Sequence, residues 1–153
     1  MEFGIASLAD ADVRDLVTLH QREMYDASPP GTSFALDLSG LDQPEVTVFA
    51  VRDHTGLLGI GALMALPETR GEIKSMRTRA TALRRGVGQT LLDGIEAEAR
   101  NRGYAKLFLE TGTGEAFEAA NRLFLCNGFT RRAAFGDYVE TDFNIFYEKA
   151  LQL

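Results

Sequence analysis

The sequence predicts an α/β chain with a central mixed, mostly antiparallel sheet of about seven strands and helices on both faces. Three observations predict it. Short apolar or alternating blocks recur along the chain between turn residues, as strands do. Longer segments with 3.6-residue apolar spacing fall near the start and after the middle. The wholly apolar Leu107-Phe108-Leu109 follows a long helix, as a parallel strand covered on both faces would.

In chain order, Phe3 to Leu8 reads as a first strand. Ser7 and Asp10 then offer N-cap chemistry for a helix over Ala11 to Asp26, where Val13, Leu16, Val17, His20 and Met24 form a buried stripe. Ala27 to Pro44 is the least regular segment, with Ser28-Pro29-Pro30-Gly31 and a short helix expected around Phe34 to Leu41; such segments are often binding loops. Val46 to Val51 is a strand, Asp53-His54-Thr55-Gly56 a hairpin turn, and Leu57 to Leu66 the returning strand. Pro67 to Gly71 turns the chain into a third antiparallel strand, Glu72 to Thr78. A helix from Gly88 to Arg102 buries Leu91, Leu92, Ile95 and Ala99, carries Glu96/Arg100 and Glu98/Arg102 pairs outside, and stops at Gly103. A further helix, Glu115 to Asn127, ends at Gly128. Phe129 to Ala133 and Phe143 to Lys149 close the sheet.

The chain has 153 residues, 45% hydrophobic and 25% charged, and reads as one globular domain over residues 1–153. It has no apolar run of membrane-spanning length, no basic-then-apolar start, and a single cysteine, Cys126, which together point to the cytoplasm. A net charge of −6 argues against nucleic acid or an anionic membrane as partner. Locally the balance reverses. Between Ile73 and Leu92 there is no acidic residue, while Lys74, Arg77, Arg79, Arg84 and Arg85 all fall there. Such an island suits an anionic ligand, though a solvated charge run would look the same.

Within that island a strand runs into a basic loop, then Gly86-Val87-Gly88, then a helix. Glycines let backbone N–H groups approach a ligand, and a helix start adds partial positive charge, so the stretch fits a pyrophosphate. Two glycines alone are weak evidence, because many loops have them. The two familiar nucleotide motifs fit worse: there is no G-x-x-x-x-G-K followed by Ser or Thr, and no G-x-G-x-x-G.

Leu83-Arg84-Arg85-Gly86-Val87-Gly88 resembles the phosphate loop of the GNAT superfamily of acyl-CoA N-acyltransferases, where Gln or Arg is followed by x-x-Gly-x and then Gly or Ala. Ala120 to Phe129 is similar to that family's A-x-x-L-Y-x-x-x-G-F. With the strand order, the resemblance spans nearly the whole chain. It implies that the fourth and fifth strands splay apart to hold the pantetheine arm of acetyl-CoA, the co-substrate, against the backbone of the fourth strand at Met76, Arg77 and Thr78. It further implies a cofactor-binding set of Arg84, Arg85, Gly86, Val87, Gly88 and Gln89 around the pyrophosphate, with Asn121 and Phe124 flanking the thioester. Two positions depart from the pattern. Leu83 replaces the usual Gln or Arg, and Phe124 replaces the tyrosine that often protonates the leaving thiolate.

A thiol pKa of about 8.5 makes the thiolate a tolerable leaving group, and general-acid help is worth roughly 10²–10⁴-fold, so Phe124 slows the chemistry without forbidding it. Tyr138 is the candidate replacement acid; Cys126, about 200° around the helix from Phe124, should face away. The acceptor amine arrives as ammonium and needs a base. Glu72 at the start of the fourth strand and Glu110 at the end of the fifth are the candidates, and Glu72 is favoured. The plainer alternatives are a Glu72 salt bridge with Lys74 or Arg77 and a solvated strand end for Glu110. His20 is expected in the packing of the first helix and His54 in a solvated turn. No metal-ligand spacing or G-x-S-x-G elbow is present, which leaves direct attack of the amine on the thioester.

The acceptor pocket is expected between Tyr25–Leu41 and Phe135–Asp142, whose aromatics and carboxylates suit a small cationic amine. The leading expectation is an acetyl-CoA-dependent N-acetyltransferase. The alternatives are a non-catalytic acyl-CoA-binding sensor or regulatory module, and an enzyme of another phosphate ligand. The resemblance also admits a homodimer, without identifying an interface.

Overall fold

The computed structural model describes residues 1–151. Its elements, in order, are β1 (Glu2–Ile5), α1 (Ala11–Asp26), α2 (Leu38–Leu41), β2 (Val46–Asp53), β3 (Gly56–Leu66), β4 (Arg70–Thr78), α3 (Val87–Asn101), β5 (Lys106–Thr111), α4 (Glu118–Cys126), β6 (Thr130–Arg132) and β7 (Ile145–Ala150). The predicted order is the observed one. Boundaries differ where local chemistry is overridden. The last predicted helix starts as a 3₁₀ turn at Glu115–Phe117 before α4 takes over, and α2 is a single turn capped by the Asp37 side chain on Gly40 N.

One seven-stranded sheet carries the fold in the order β1-β2-β3-β4-β5-β7-β6. β1 to β4 form an antiparallel meander, with short turns joining β2, β3 and β4. The β4–β5 pair is the parallel one, with α3 as its crossover. Alternate residues then face opposite layers. Ile73, Leu107, Leu109 and Tyr147 meet Leu92, Ile95 and Ala99 of α3 and Phe124 of α4. On the other face, Val48, Ala50, Ile60 and Ala62 meet Val13, Leu16 and Val17 of α1. His20 completes that stripe, 8% exposed. Glu96 does not lie outside as expected; it is buried, taking Lys149 Nζ at 2.8 Å as well as Arg100 at 3.2 Å. No described helix is long and apolar enough to cross a membrane.

Two irregularities of β3 and β4 shape the centre of the sheet. The register slips between Ile60 and Ala62, which pair with Arg77 and Lys74, so β4 carries one extra residue: a bulge. Within it Ser75 takes φ +55°, a left-handed value, and its buried hydroxyl has no hydrogen-bond partner among the described residues. On the α3 side, a Cβ at Gly59 would come within 2.8 Å of Val87 and 2.9 Å of the Arg77 carbonyl, so that glycine lets the start of α3 sit on the sheet.

Ser75 is therefore held against its own preference. A left-handed non-glycine residue costs roughly 1–2 kcal/mol, partly offset by the extra unfolded-state freedom of glycine. Ser75→Gly is expected to stabilise the fold by about 1 kcal/mol in denaturant unfolding; a loss would mean that the hydroxyl has an unseen partner.

Candidate active site

β4 and β5 pair only from Arg70/Lys106 to Ile73/Leu109. Beyond that point β4 stays paired with β3 as far as Thr78, and β5 with β7 as far as Thr111. The two middle strands diverge, leaving the β5-facing edge of Lys74 to Thr78 with no strand partner among the described residues. An opening in the centre of a sheet, with backbone donors and acceptors along one wall, has the shape and hydrogen-bonding groups to take an extended polar chain.

At the β4 end of that groove lies the α3 N-terminus. Gly86 takes φ +82° there, and the first amide bonded back within the turn is Thr90 N to Gly86 O at 3.0 Å. The N–H groups of Val87, Gly88 and Gln89 therefore have no intrahelical partner, and no side chain caps them. That is an anion site made of backbone. Arg84 is exposed, with φ +63°. Arg85 reaches Asp53 at 2.9 Å, and Thr55 and Arg85 together hold the Asp53 carboxyl well below the usual range. Gln89 contributes only its amide, because its side chain is spent on Asp93 at 2.8 Å and Asn127 at 2.7 Å. Gly88 brings α3 close to α4, a Cβ there lying 3.3 Å from Leu123.

The side chains of most other residues in the expected cofactor set are engaged within the protein. Arg77 turns to α1, bonded to Glu23, and Met76 packs into the core, which leaves the β4 backbone for a ligand. Thr78 pairs with Gly59 at the end of β4. Asn121 gives its N–H groups to the Gly112 and Phe117 carbonyls and accepts from Tyr147 OH at 2.8 Å. Phe124 is 6% exposed, against Phe129 and Tyr147. Both fasten α4 to the sheet, and neither has a free polar atom to offer a thioester.

The catalytic candidates do come together, on the α1 face of the sheet where the strands part. Tyr138 OH donates to Glu72 Oε2 at 2.7 Å, and Lys74 Nζ reaches that oxygen at 3.2 Å and the phenol oxygen at 2.8 Å. Glu72 is 3% exposed and Lys74 is nearly as buried. The Tyr138 ring is seated on Phe135 and Phe146, and Phe34 from the irregular segment packs against it edge-on at 5.1 Å. Thus the two segments expected to build the acceptor pocket meet here.

Glu110 stands one residue past the last β4–β5 pair and is partly open. Asn144 Nδ2 donates to it at 2.8 Å. Burial pushes its carboxyl pKa up, opposed by the Asn144 bond and the Lys74 charge, with Glu72 adding to the rise. A raised carboxyl pKa is what a base for an ammonium needs. Glu72, favoured from the sequence, is instead sealed and charge-matched by Lys74. Tyr138, the expected acid, already donates its hydrogen bond to Glu72, and burial together with that carboxylate pushes its pKa up, so releasing the proton to a thiolate would be costly. His20 is held down to about 4 by burial, with Arg77 adding to it, and is neutral at physiological pH.

The alternative weighed for Glu72 from the sequence, a salt bridge with Lys74, is the one observed; sequence reasoning missed Asn144 altogether. The signal for Lys74 was its i,i+2 spacing from Glu72 on a strand, which puts both on one face.

Comparison with known proteins agrees with this fold. Residues 11–129 match the model of the Acetyltransferase (GNAT) family. The chain is 41% identical over 151 residues to the uncharacterised N-acetyltransferase YsnE of Bacillus subtilis (strain 168), covering 99% of this chain and 100% of that one. It is 35% identical over 145 residues to the IAA acetyltransferase of Azospirillum brasilense, covering 94% and 93%. Among solved structures, a Klebsiella pneumoniae chain assigned as an acyl-CoA N-acyltransferase superposes with a TM-score of 0.82 at 30% identity, covering 99% and 97%.

The Lys74–Glu72 pair should behave as a buried ion pair. Lys74→Met is expected to destabilise the fold by about 3–5 kcal/mol by leaving the buried Glu72 without its cation, with only the Tyr138 hydroxyl as partner, and Lys74→Met with Glu72→Gln should recover much of that. Urea unfolding of the single and double variants measures both.

Proposed function

The chain belongs to the GNAT acetyltransferase family and is an acyltransferase; on that premise we propose that it moves the acetyl group of acetyl-CoA to a small primary amine by direct attack within a ternary complex. The observation that carries the reading is the pairing of an open α3 N-terminus with a carboxylate cluster at the point where β4 and β5 part. One end of the groove suits pyrophosphate; the other suits a cation.

The α3 amides of Val87 to Gln89, with Arg84 and Arg85 nearby, would hold the phosphates, and the unpaired edge of β4 the pantetheine amides. Acetyl-CoA supplies an activated acyl carbon and a leaving thiolate. Glu110 is the base: it draws the acceptor ammonium to the groove and takes its proton. Glu72, Lys74 and Tyr138 form the wall beside it, fixed by three mutual hydrogen bonds. With Glu72 met by Lys74, the cluster of Glu72, Glu110 and Lys74 keeps one net negative charge, which matches one ammonium. Phe34 and Tyr138 offer aromatic surface to the rest of the acceptor. No acid is assigned to the thiolate, which leaves at a tolerable pKa.

Thermal stability in the presence of acetyl-CoA, with dephospho-CoA, ATP and NAD as comparators, tests the donor; ligand at 100 times its Kd should add about 2.7 kcal/mol. A screen of primary amines for thiol release then tests the enzyme, with IAA, the compound in the name of the Azospirillum relative, in the same panel. Binding with no thiol release from any acceptor would mean a sensor. Glu110→Gln is expected to lower kcat/KM by roughly 10²–10⁴-fold while acetyl-CoA binding is unchanged. Because a carboxylate is a base only when ionised, wild-type kcat/KM should rise with pH through the raised Glu110 pKa, and the variant should lose that limb. Retention of the limb in Glu110→Gln would return the base role to Glu72.

A further inference from the structure

We propose that Asn144 is a positioning residue that ties the ionisation of Glu110 to the seating of the acceptor-side segment around Thr32. The proposal rests on the acetyltransferase reading only for its kinetic consequence; the tie itself is a property of the free protein.

Asn144 lies in the turn before β7 and is 5% exposed. All of its side-chain polar capacity toward the protein is used. One Nδ2 hydrogen goes to Glu110 Oε2 at 2.8 Å, and the other to the Thr32 carbonyl at 3.0 Å. Its Oδ1 accepts from Thr141 Oγ1 at 2.6 Å, and that hydroxyl oxygen in turn accepts from the Asn144 and Phe143 backbone N–H groups. The side chain is thus clamped at its oxygen and forked at its nitrogen. One tine holds the base, the other a segment that lies 112 residues away in sequence.

A carboxamide is planar, and its two N–H bonds keep a fixed angle. Displacing the Thr32 carbonyl leaves the amide two outcomes: it turns with the carbonyl and weakens the Glu110 bond, or it keeps that bond and strands its other donor inside the protein, a cost that favours the turn. A donor to the charged form of a carboxylate favours that form, so a seated segment keeps Glu110 ionised and a displaced one lets it bind a proton. The other groups acting on Glu110 are Lys74 and Glu72 from β4 and Tyr138 from the 135–142 loop. Lys74, Glu72 and Tyr138 are locked to one another, which makes Asn144 the contact that can vary. Phe34, two residues beyond Thr32, rests on Tyr138, so an acceptor entering between them acts on the same segment.

The experiment uses the full chain and two substitutions. Asn144→Ala removes the fork. Asn144→Asp keeps its shape while replacing both donors by an oxygen, and serves if the alanine variant does not fold. The Glu110 carboxyl is followed by carbon-13 NMR titration without ligands, its signal assigned by its absence in Glu110→Gln. The expected result is a titration midpoint that moves to higher pH in Asn144→Ala and further in Asn144→Asp, with faster amide exchange at Phe34 in both. A midpoint unchanged from wild type overturns the proposal whatever happens to the rate. Unchanged exchange at Phe34 overturns the link to the segment. With an acceptor in hand, the acid limb of kcat/KM should move up with the midpoint, and every pH unit it moves lowers kcat/KM on that limb about tenfold. A midpoint that moves while the limb stays put supports the hold of Asn144 on Glu110 and overturns Glu110 as the base.

Discussion

The structure depends on a sheet that stops pairing in its middle. After Ile73 and Leu109 the two central strands give up the hydrogen bonds that every other neighbouring pair keeps, and backbone groups left that way need another partner. Everything else about the site answers that demand. The bulge at Ser75 gives β4 an extra residue just past the parting, α3 starts at the mouth of the opening with its amides free, and Glu110 is the first β5 residue beyond the seam. A fold that draws its cohesion from elsewhere, from the antiparallel meander and the α3 and α4 packing, can leave this region unpaired and still be stable.

The second feature is how charge is distributed across the opening. One carboxylate, Glu72, is buried with a lysine and a phenol and acts as architecture. The other, Glu110, is held by an amide that carries no charge and stays responsive to its surroundings. Two acids on adjacent strands thereby have different surroundings: one meets a cation and a phenol, the other a neutral amide.

Much of this was legible in the sequence. Period and turn chemistry gave every strand and the order of elements, since most strands are bounded by Gly, Pro, Asp or Asn and each long helix has a clean apolar stripe. The loop from Arg84 to Gly88 was legible because its glycines and arginines are contiguous. The acid cluster was legible only in part. Glu72, Glu110 and Tyr138 were picked out as types, but which acid is sealed depends on Lys74, whose partner 64 residues away is Tyr138. In sequence Lys74 belonged to a basic island; in space it joins the carboxylate cluster. Asn144 gave no signal, because a lone asparagine before a strand looks like turn chemistry. Asn121 and Phe124 were legible in their motif placement on α4, while their side chains serve the packing of that helix.

The strand order has a consequence for how the molecule is made. β7 is the last of the described strands to be synthesised, yet it lies inside the sheet, between β5 and β6. Until it emerges, β5 has an open edge, β6 has no neighbour, and the turn that bears Asn144 does not exist. The N-terminal meander can assemble while the ribosome is still working, but the carboxylate cluster cannot. A nascent chain can thus be folded on one side of the seam while it is unfinished on the other, and the carboxylate cluster is completed only when β7 slides in between β5 and β6.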